Sequence, residues 1–95
     1  MPPLARFALD EKVVIVTGAG RGLGRTMALE CFQSGAKVAV GSRTTGELET
    51  LAAEIEAGGG ECFYHPLDVT DVGSIQAFMD AVIAHYGRID VLVNN

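Results

Sequence analysis

The chain has no tryptophan, two cysteines, no apolar run approaching the length of a membrane span, and a deficit of basic residues: 7 Lys and Arg against 12 Asp and Glu, a formal net charge of -5. Each shortage excludes something. Cys31 and Cys62 are too few for the disulfide framework of a small secreted domain, and their places in a predicted helix and a predicted strand fit buried thiols in a reducing compartment. The acidic balance has the wrong sign for tracking nucleic-acid phosphates or an anionic bilayer, so neither a nucleic acid nor a membrane is expected as a partner. The stretch from Met1 to Asp10 has two prolines and the lone Arg6 but nothing like a signal-peptide core, so a cytoplasmic location is expected. No His, Cys, Asp or Glu cluster stands at metal-ligand spacing, and no metal is expected. His65 and His85 read as strand-end and helix-end residues.

What is present reads as one small domain. The 95 residues are 48% hydrophobic, enough for a single core and too apolar for a disordered chain. Val13-Val14-Ile15-Val16 is an unbroken β-branched run, the signature of a strand covered on both faces. From Gly22 to Ser34 the residues Leu23, Met27, Ala28, Cys31 and Phe32 recur at helical spacing, with Gly35 as the stop. Lys37 to Gly41 is a second short strand. Thr44 with Glu47 resembles a capping box opening a helix with a stripe of Leu48, Leu51, Ala52 and Ile55, ended by Gly58-Gly59-Gly60. A third strand is predicted over Glu61 to Pro66. Thr70 caps a third helix bearing Ile75, Phe78, Met79, Val82, Ile83 and Tyr86 on one face, and Gly87 leads to a fourth strand over Ile89 to Val93.

The order β-α-β-α-β-α-β with short right-handed crossovers predicts a doubly wound, Rossmann-type parallel sheet with helices on both faces. With the third crossover reversing direction, the strand order is 3-2-1-4 and the switch point lies between strands 1 and 4. Ligands in such folds bind at the carboxyl ends of the strands there.

At that point stands Thr17-Gly18-Ala19-Gly20-Arg21-Gly22-Leu23-Gly24, joining the first strand to the first helix. Unpaired N–H groups at a helix start, together with the helix dipole, suit a nucleotide's phosphates. Gly18 permits a tight exit from the strand, Gly22 lets backbone approach a pyrophosphate, and Gly24 allows close helix-to-sheet packing. The spacing departs from G-x-G-x-x-G and lacks the lysine of a P-loop, which argues against a nucleotide triphosphatase.

These residues resemble the short-chain dehydrogenase and reductase family, whose glycine motif is T-G-x-x-x-G-x-G. The resemblance extends through Phe7-Ala8-Leu9 with Lys12, Gly35-Ala36-Lys37-Val38, Asp68-Val69-Thr70-Asp71 and Ile89-Asp90-Val91-Leu92-Val93-Asn94-Asn95, the last matching the start of N-N-A-G. It implies that Gly18, Arg21, Gly22, Leu23 and Gly24 surround the pyrophosphate and adenosine ribose. It further implies that Asp68 accepts from the adenine amino group, that the backbone at Val69 lines the adenine slot, and that Asn94 fixes the sheet against the cofactor loop. As alternatives, Arg43 could be a solvated surface charge, and Asp68 could cap a turn with Thr70 and Asp71.

Cofactor choice is read at the end of the second strand, where an acid holds the ribose hydroxyls of NAD and an arginine the 2′-phosphate of NADP. The sequence there is Gly41-Ser42-Arg43-Thr44. With no acid at Ser42, and Arg43 and Arg21 available to a phosphate, NADP(H) is expected in preference to NAD(H).

The chemistry the resemblance implies, hydride transfer between a nicotinamide and a carbonyl or alcohol carbon, requires a Ser and a Tyr-x-x-x-Lys. Neither can be placed: Asp68 and Asp90 stand four residues after Tyr64 and Tyr86, and the only lysines are Lys12 and Lys37. Residues 1–95 therefore read as the amino-terminal NAD(P)-binding part of a single domain, a fragment or truncated product without catalytic residues of its own. Its parent is expected to be an oxidoreductase and a homo-oligomer. The alternatives are a non-catalytic NADP(H)-binding regulatory or redox-sensing module and, less well fitted by the basic end of strand 2, an S-adenosylmethionine-dependent methyltransferase.

Overall fold

The computed structural model describes residues 9–95; the targeting reading of residues 1–8 and the leader positions Phe7 and Ala8 lie outside the described residues. The elements follow the expected order: β1 (Val13–Thr17), α1 (Gly22–Gln33), β2 (Lys37–Ser42), α2 (Thr45–Ala57), β3 (Cys62–Pro66), α3 (Val72–Tyr86) and β4 (Val91–Val93). The sheet is wholly parallel with strand order β3-β2-β1-β4. It is the doubly wound arrangement that the hydrophobic pattern predicts.

The pleat of β1 explains its continuous apolar run, because successive side chains point to opposite faces and here both faces are covered. Val14 and Val16 join Val38, Val40, Ala28, Leu48, Leu51 and Ile55 in one core, under α1 and α2. Val13 and Ile15 join Ala39, Leu67, Phe78 and Val82 in a second core, under α3. Arg25 of α1 pairs with Glu54 of α2, tying the two helices of the first face together.

Several boundaries and roles differ from the sequence reading, each for a local reason. Leu23, expected on the buried stripe of α1, is 66% exposed, because the inward position of that turn belongs to the buried Gly24. Ile83 lies one position beyond the inward stripe of α3 and is likewise exposed. The capping box at Thr44 does not form: Thr44 makes no side-chain cap bond, and Glu47 turns toward Arg21 of the glycine loop. Thr70 does not cap α3, since its N–H and hydroxyl both donate to Asp68 Oδ1. Asp71 caps the helix instead, accepting from the Gly73 and Ser74 N–H groups. Cys62 is buried as expected, whereas Cys31 is only half-buried.

The fourth strand starts at Val91, two residues later than predicted, because Asp90 closes the loop before it. The Asp90 N–H donates to the Val13 carbonyl at 2.9 Å and the Val13 N–H donates to Asp90 Oδ2 at 2.8 Å.

Candidate functional site

The turn from β1 into α1 needs glycine at two places for backbone reasons. Gly18 and Gly22 have φ of +62° and +63°, a region that L side chains rarely adopt. At Gly22 a Cβ would meet nothing within 4 Å, so the loop's backbone is bare on that side. Gly24 has a different constraint: a Cβ there would stand 2.3 Å from the Gly18 carbonyl oxygen and 2.8 Å from Asn95 Nδ2. Its small size lets α1 close onto the exit of β1 and onto the chain after β4, a tighter contact than the expected packing on the sheet face.

The two helix starts that frame the sheet are finished differently. Asp71 supplies a carboxylate to the start of α3, whereas Arg21 at the start of α1 makes no side-chain cap bond and no acid stands in the first turn. The leading N–H groups of α1 thus have no intrahelical or capping partner, the arrangement that receives an anion.

Beside this start, at the carboxyl ends of β1, β2 and β3, lies a cavity of about 280 Å³. Gly18, Gly20 and Arg21 come to it from the glycine loop, Ser42, Arg43 and Thr44 from the end of β2, and Glu47 from α2; Leu67, Asp68, Val69 and Thr70 line the far wall, with Asn95 at the base. The fold therefore brings Gly18, Arg21, Ser42, Arg43, Asp68 and Val69 together around one cavity. Gly22, Leu23, Gly24 and Asn94 are outside the lining. Asn94 instead bonds the end of β1, its Oδ1 accepting from the Thr17 hydroxyl at 3.1 Å.

Asp68 has the local role that the turn-capping alternative anticipated. Its carboxyl is held below the usual carboxylate range first by the Thr70 hydroxyl and then by the Thr70 amide, with a smaller contribution from the nearby Arg43 guanidinium. Oδ1 accepts both Thr70 bonds, so the side chain is oriented before any ligand arrives. The Ser42 hydroxyl accepts from the Thr44 N–H at 3.2 Å and holds the turn that carries Arg43.

Sequence reasoning gave Glu47 no place at the site and read Asn95 only as part of the Asn-Asn motif. Glu47 has a side chain long enough to reach the loop, but its spacing from Thr44 pointed to the capping box. Asn95 donates through Nδ2 to the Gly18 carbonyl and through its N–H to Thr17 Oγ1; the Asn-Asn pair after a Val-rich strand was the available signal. Tyr86 lies away from the cavity. Its hydroxyl donates to the Val38 carbonyl near the amino end of β2, and burial, more than nearby acids, pushes the phenol up. A larger concavity, about 610 Å³, opens at that same amino end between Phe32, Lys37 and the triple glycine. It has neither a helix start nor the glycine loop, and ligands of doubly wound sheets bind at the opposite end.

The smaller cavity fits part of a nicotinamide dinucleotide. Its volume, about 280 Å³, is just under the lower end of small-ligand pockets, about 300 Å³, enough for part of such a ligand and too small for the whole. No helix among the described residues is long and apolar enough to cross a membrane, and no His, Cys, Asp and Glu group among them is placed to hold a metal ion.

Comparison with known proteins agrees with the motif and the fold. The chain is 42% identical over 89 residues to D-threitol dehydrogenase of Mycolicibacterium smegmatis, covering 94% of this chain and 34% of that enzyme. Among solved structures, a short chain dehydrogenase/reductase of Burkholderia phymatum in complex with NAD superposes with a TM-score of 0.85 at 30% identity, over 94% of this chain and 31% of its own. A metagenomic short-chain oxidoreductase in complex with NADP also gives 0.85, at 41% identity over 90% of this chain and 39% of that one. The chain spans about a third of the length, or less, of the curated relatives it matches. The family model described as short chain dehydrogenase matches residues 12–95, and with the glycine loop, the parallel sheet and these relatives it establishes that the chain belongs to the short-chain dehydrogenase family.

Proposed function

We propose that this chain is the dinucleotide-binding part of an NADP(H)-dependent oxidoreductase that moves hydride between a nicotinamide and a carbonyl or alcohol carbon. The observation that carries the cofactor preference is the meeting of Arg21, Ser42 and Arg43 at one cavity, with no acid at the end of β2. The uncapped N–H groups of α1 receive the pyrophosphate, Gly22 leaves its approach clear, and Asp68, pre-oriented by Thr70, accepts from the adenine amino group. Asn94 and Asn95 hold β4 to the exit of β1 and so keep the loop in place. The bound cofactor supplies or accepts the hydride; the residues named here bind and orient it. The relatives in complex with NAD and with NADP support a nicotinamide dinucleotide as the ligand.

A charge-assisted hydrogen bond contributes roughly 1.5 to 3 kcal/mol, so losing the Arg43 guanidinium should weaken NADPH about tenfold or more. Dissociation constants for NADPH and NADH, measured at fixed ionic strength for the protein from its complete reading frame and for Arg43→Ala and Ser42→Asp, test this. We expect Arg43→Ala to leave NADH nearly unchanged and Ser42→Asp to reverse the preference. Equal weakening of both cofactors in Arg43→Ala would show that Arg43 does not read the 2′-phosphate. NADPH-dependent reduction of a panel of aldehydes and ketones by the same protein separates an oxidoreductase from a non-catalytic NADP(H)-binding module.

A further inference from the structure

One acid stands beside the end of β2 without belonging to the strand. Glu47 belongs to the first turn of α2, yet its side chain leaves the helix and lies across the glycine loop. An added Cβ at Gly20 would stand 2.6 Å from Glu47 Oε1, and Glu47 Oε2 is 3.9 Å from Arg21 Nε. The same residue lines the cavity with Arg43 and Ser42. A carboxylate absent from the strand end in sequence is therefore present at the site in space, against one of the two guanidinium groups assigned to the 2′-phosphate.

Arg21 is 88% exposed and has Glu47 as its ionic partner. An ion pair this open is weak and easily exchanged. A phosphate is a stronger bidentate partner for a guanidinium than a carboxylate held near 4 Å. The two anions cannot share Arg21 at close range without mutual repulsion.

We propose that Glu47 is a specificity-determining residue that occupies Arg21 in place of the 2′-phosphate, and that it must release Arg21 when NADP(H) binds. With NAD(H) the pair persists, because no phosphate competes for it. Glu47 thus lowers the preference for NADP(H) that Arg21 and Arg43 create. This rests on the cofactor reading above and adds an opposing charge to it.

Fluorescence titration of the protein from its complete reading frame with NADPH and with NADH tests the proposal, using Glu47→Gln, Glu47→Ala, Arg21→Ala and the double variant Arg21→Ala with Glu47→Gln. The expected result is NADPH binding tightened about twofold to fivefold in both Glu47 variants, the range that breaking an exposed pair allows, with NADH changed by less than about twofold. The gain should fall by at least half in the Arg21→Ala background. Equal tightening of both cofactors, an undiminished gain without Arg21, or a selective loss of NADH binding would each overturn the proposal; the last would make Glu47 the acceptor for the ribose hydroxyls. If neither cofactor binds the native protein, the cofactor reading itself fails. If Arg43→Ala selectively loses NADPH while Glu47→Gln changes nothing, only the role of Glu47 fails.

Discussion

β1 and β4 are neighbours in the sheet and nearly alike in composition, yet they occupy different environments. Every residue of β1 is buried, whereas Leu92 of β4 is 51% exposed and Val91 is 39% exposed. β1 pairs with β2 on one side and β4 on the other; β4 pairs, among the described residues, with β1 alone. A Val-rich run thus specifies a strand without specifying how well it is covered. Coverage comes from helices and strands that are remote in sequence, and it decides the energetic weight of each side chain.

The strongest test substitutes one residue in each strand. Ile15→Ala should destabilise the fold by about 2–5 kcal/mol, since the packed α3 face cannot close over the missing atoms. Leu92→Ala should cost less than about 1 kcal/mol, as for other half-exposed positions. Urea unfolding of the 95-residue chain measures both, and similar losses would remove the distinction between the strands.

Next in size, the helix starts extend the comparison to α3, which covers Ile15. Asp71→Ala should cost about 1 kcal/mol because two N–H groups lose their acceptor, while Thr44→Ala, with no cap bond to lose, should change stability far less. A larger loss at Thr44 than at Asp71 would mean that the capping box forms in solution.

A smaller effect in stability, but a visible one in solution behaviour, concerns the edge of β4. Strand edges with exposed apolar side chains favour pairing between chains, and charge blocks it. The 95-residue chain should associate as its concentration rises, and Leu92→Lys should reduce that association, read by sedimentation velocity, while shifting unfolding by no more than about 0.5 kcal/mol. Unchanged association would place the contact elsewhere.

The smallest expected effect is on pH dependence, through the bond that joins the two strands. The Val13 N–H, and after it Arg88, hold the Asp90 carboxyl below the usual carboxylate range. The native state therefore releases this proton more readily than the unfolded chain. Its contribution is present above the unfolded value, about 3.9, and is lost as pH falls through the lower folded value. Asp90→Asn should flatten the acid limb of stability between pH 5 and the low-pH end, measured by urea midpoints across the range. An unaltered limb would assign the acid sensitivity to other carboxylates, with Asp68, lowered by Thr70, the next to test.

Much of this protein was legible without coordinates, because the signals were local. The β-branched run of β1, the 3.6-residue stripe of α2 and the positive-φ glycines at 18, 22 and 59 each express a pattern or backbone requirement set within a few residues. The chain order of strands and helices, with right-handed crossovers, then leaves few sheet topologies, and the observed order is among them. The loop, Ser42 and Arg43 were legible as a candidate site because ligands gather where the strands of such a sheet end, whereas Asp68 entered through the family resemblance.

What only the tertiary structure decided involves side chains with more than one available partner. Asp71 rather than Thr70 caps α3, since the Thr70 hydroxyl has Asp68 within reach. Glu47 faces Arg21 rather than its own helix start, and Gly24 is constrained by Gly18 and Asn95 across the fold. Periodicity and turn chemistry act over a few residues and are written in the chain. Competition between a local and a distant partner is settled by distances that exist only once the sheet has brought them together.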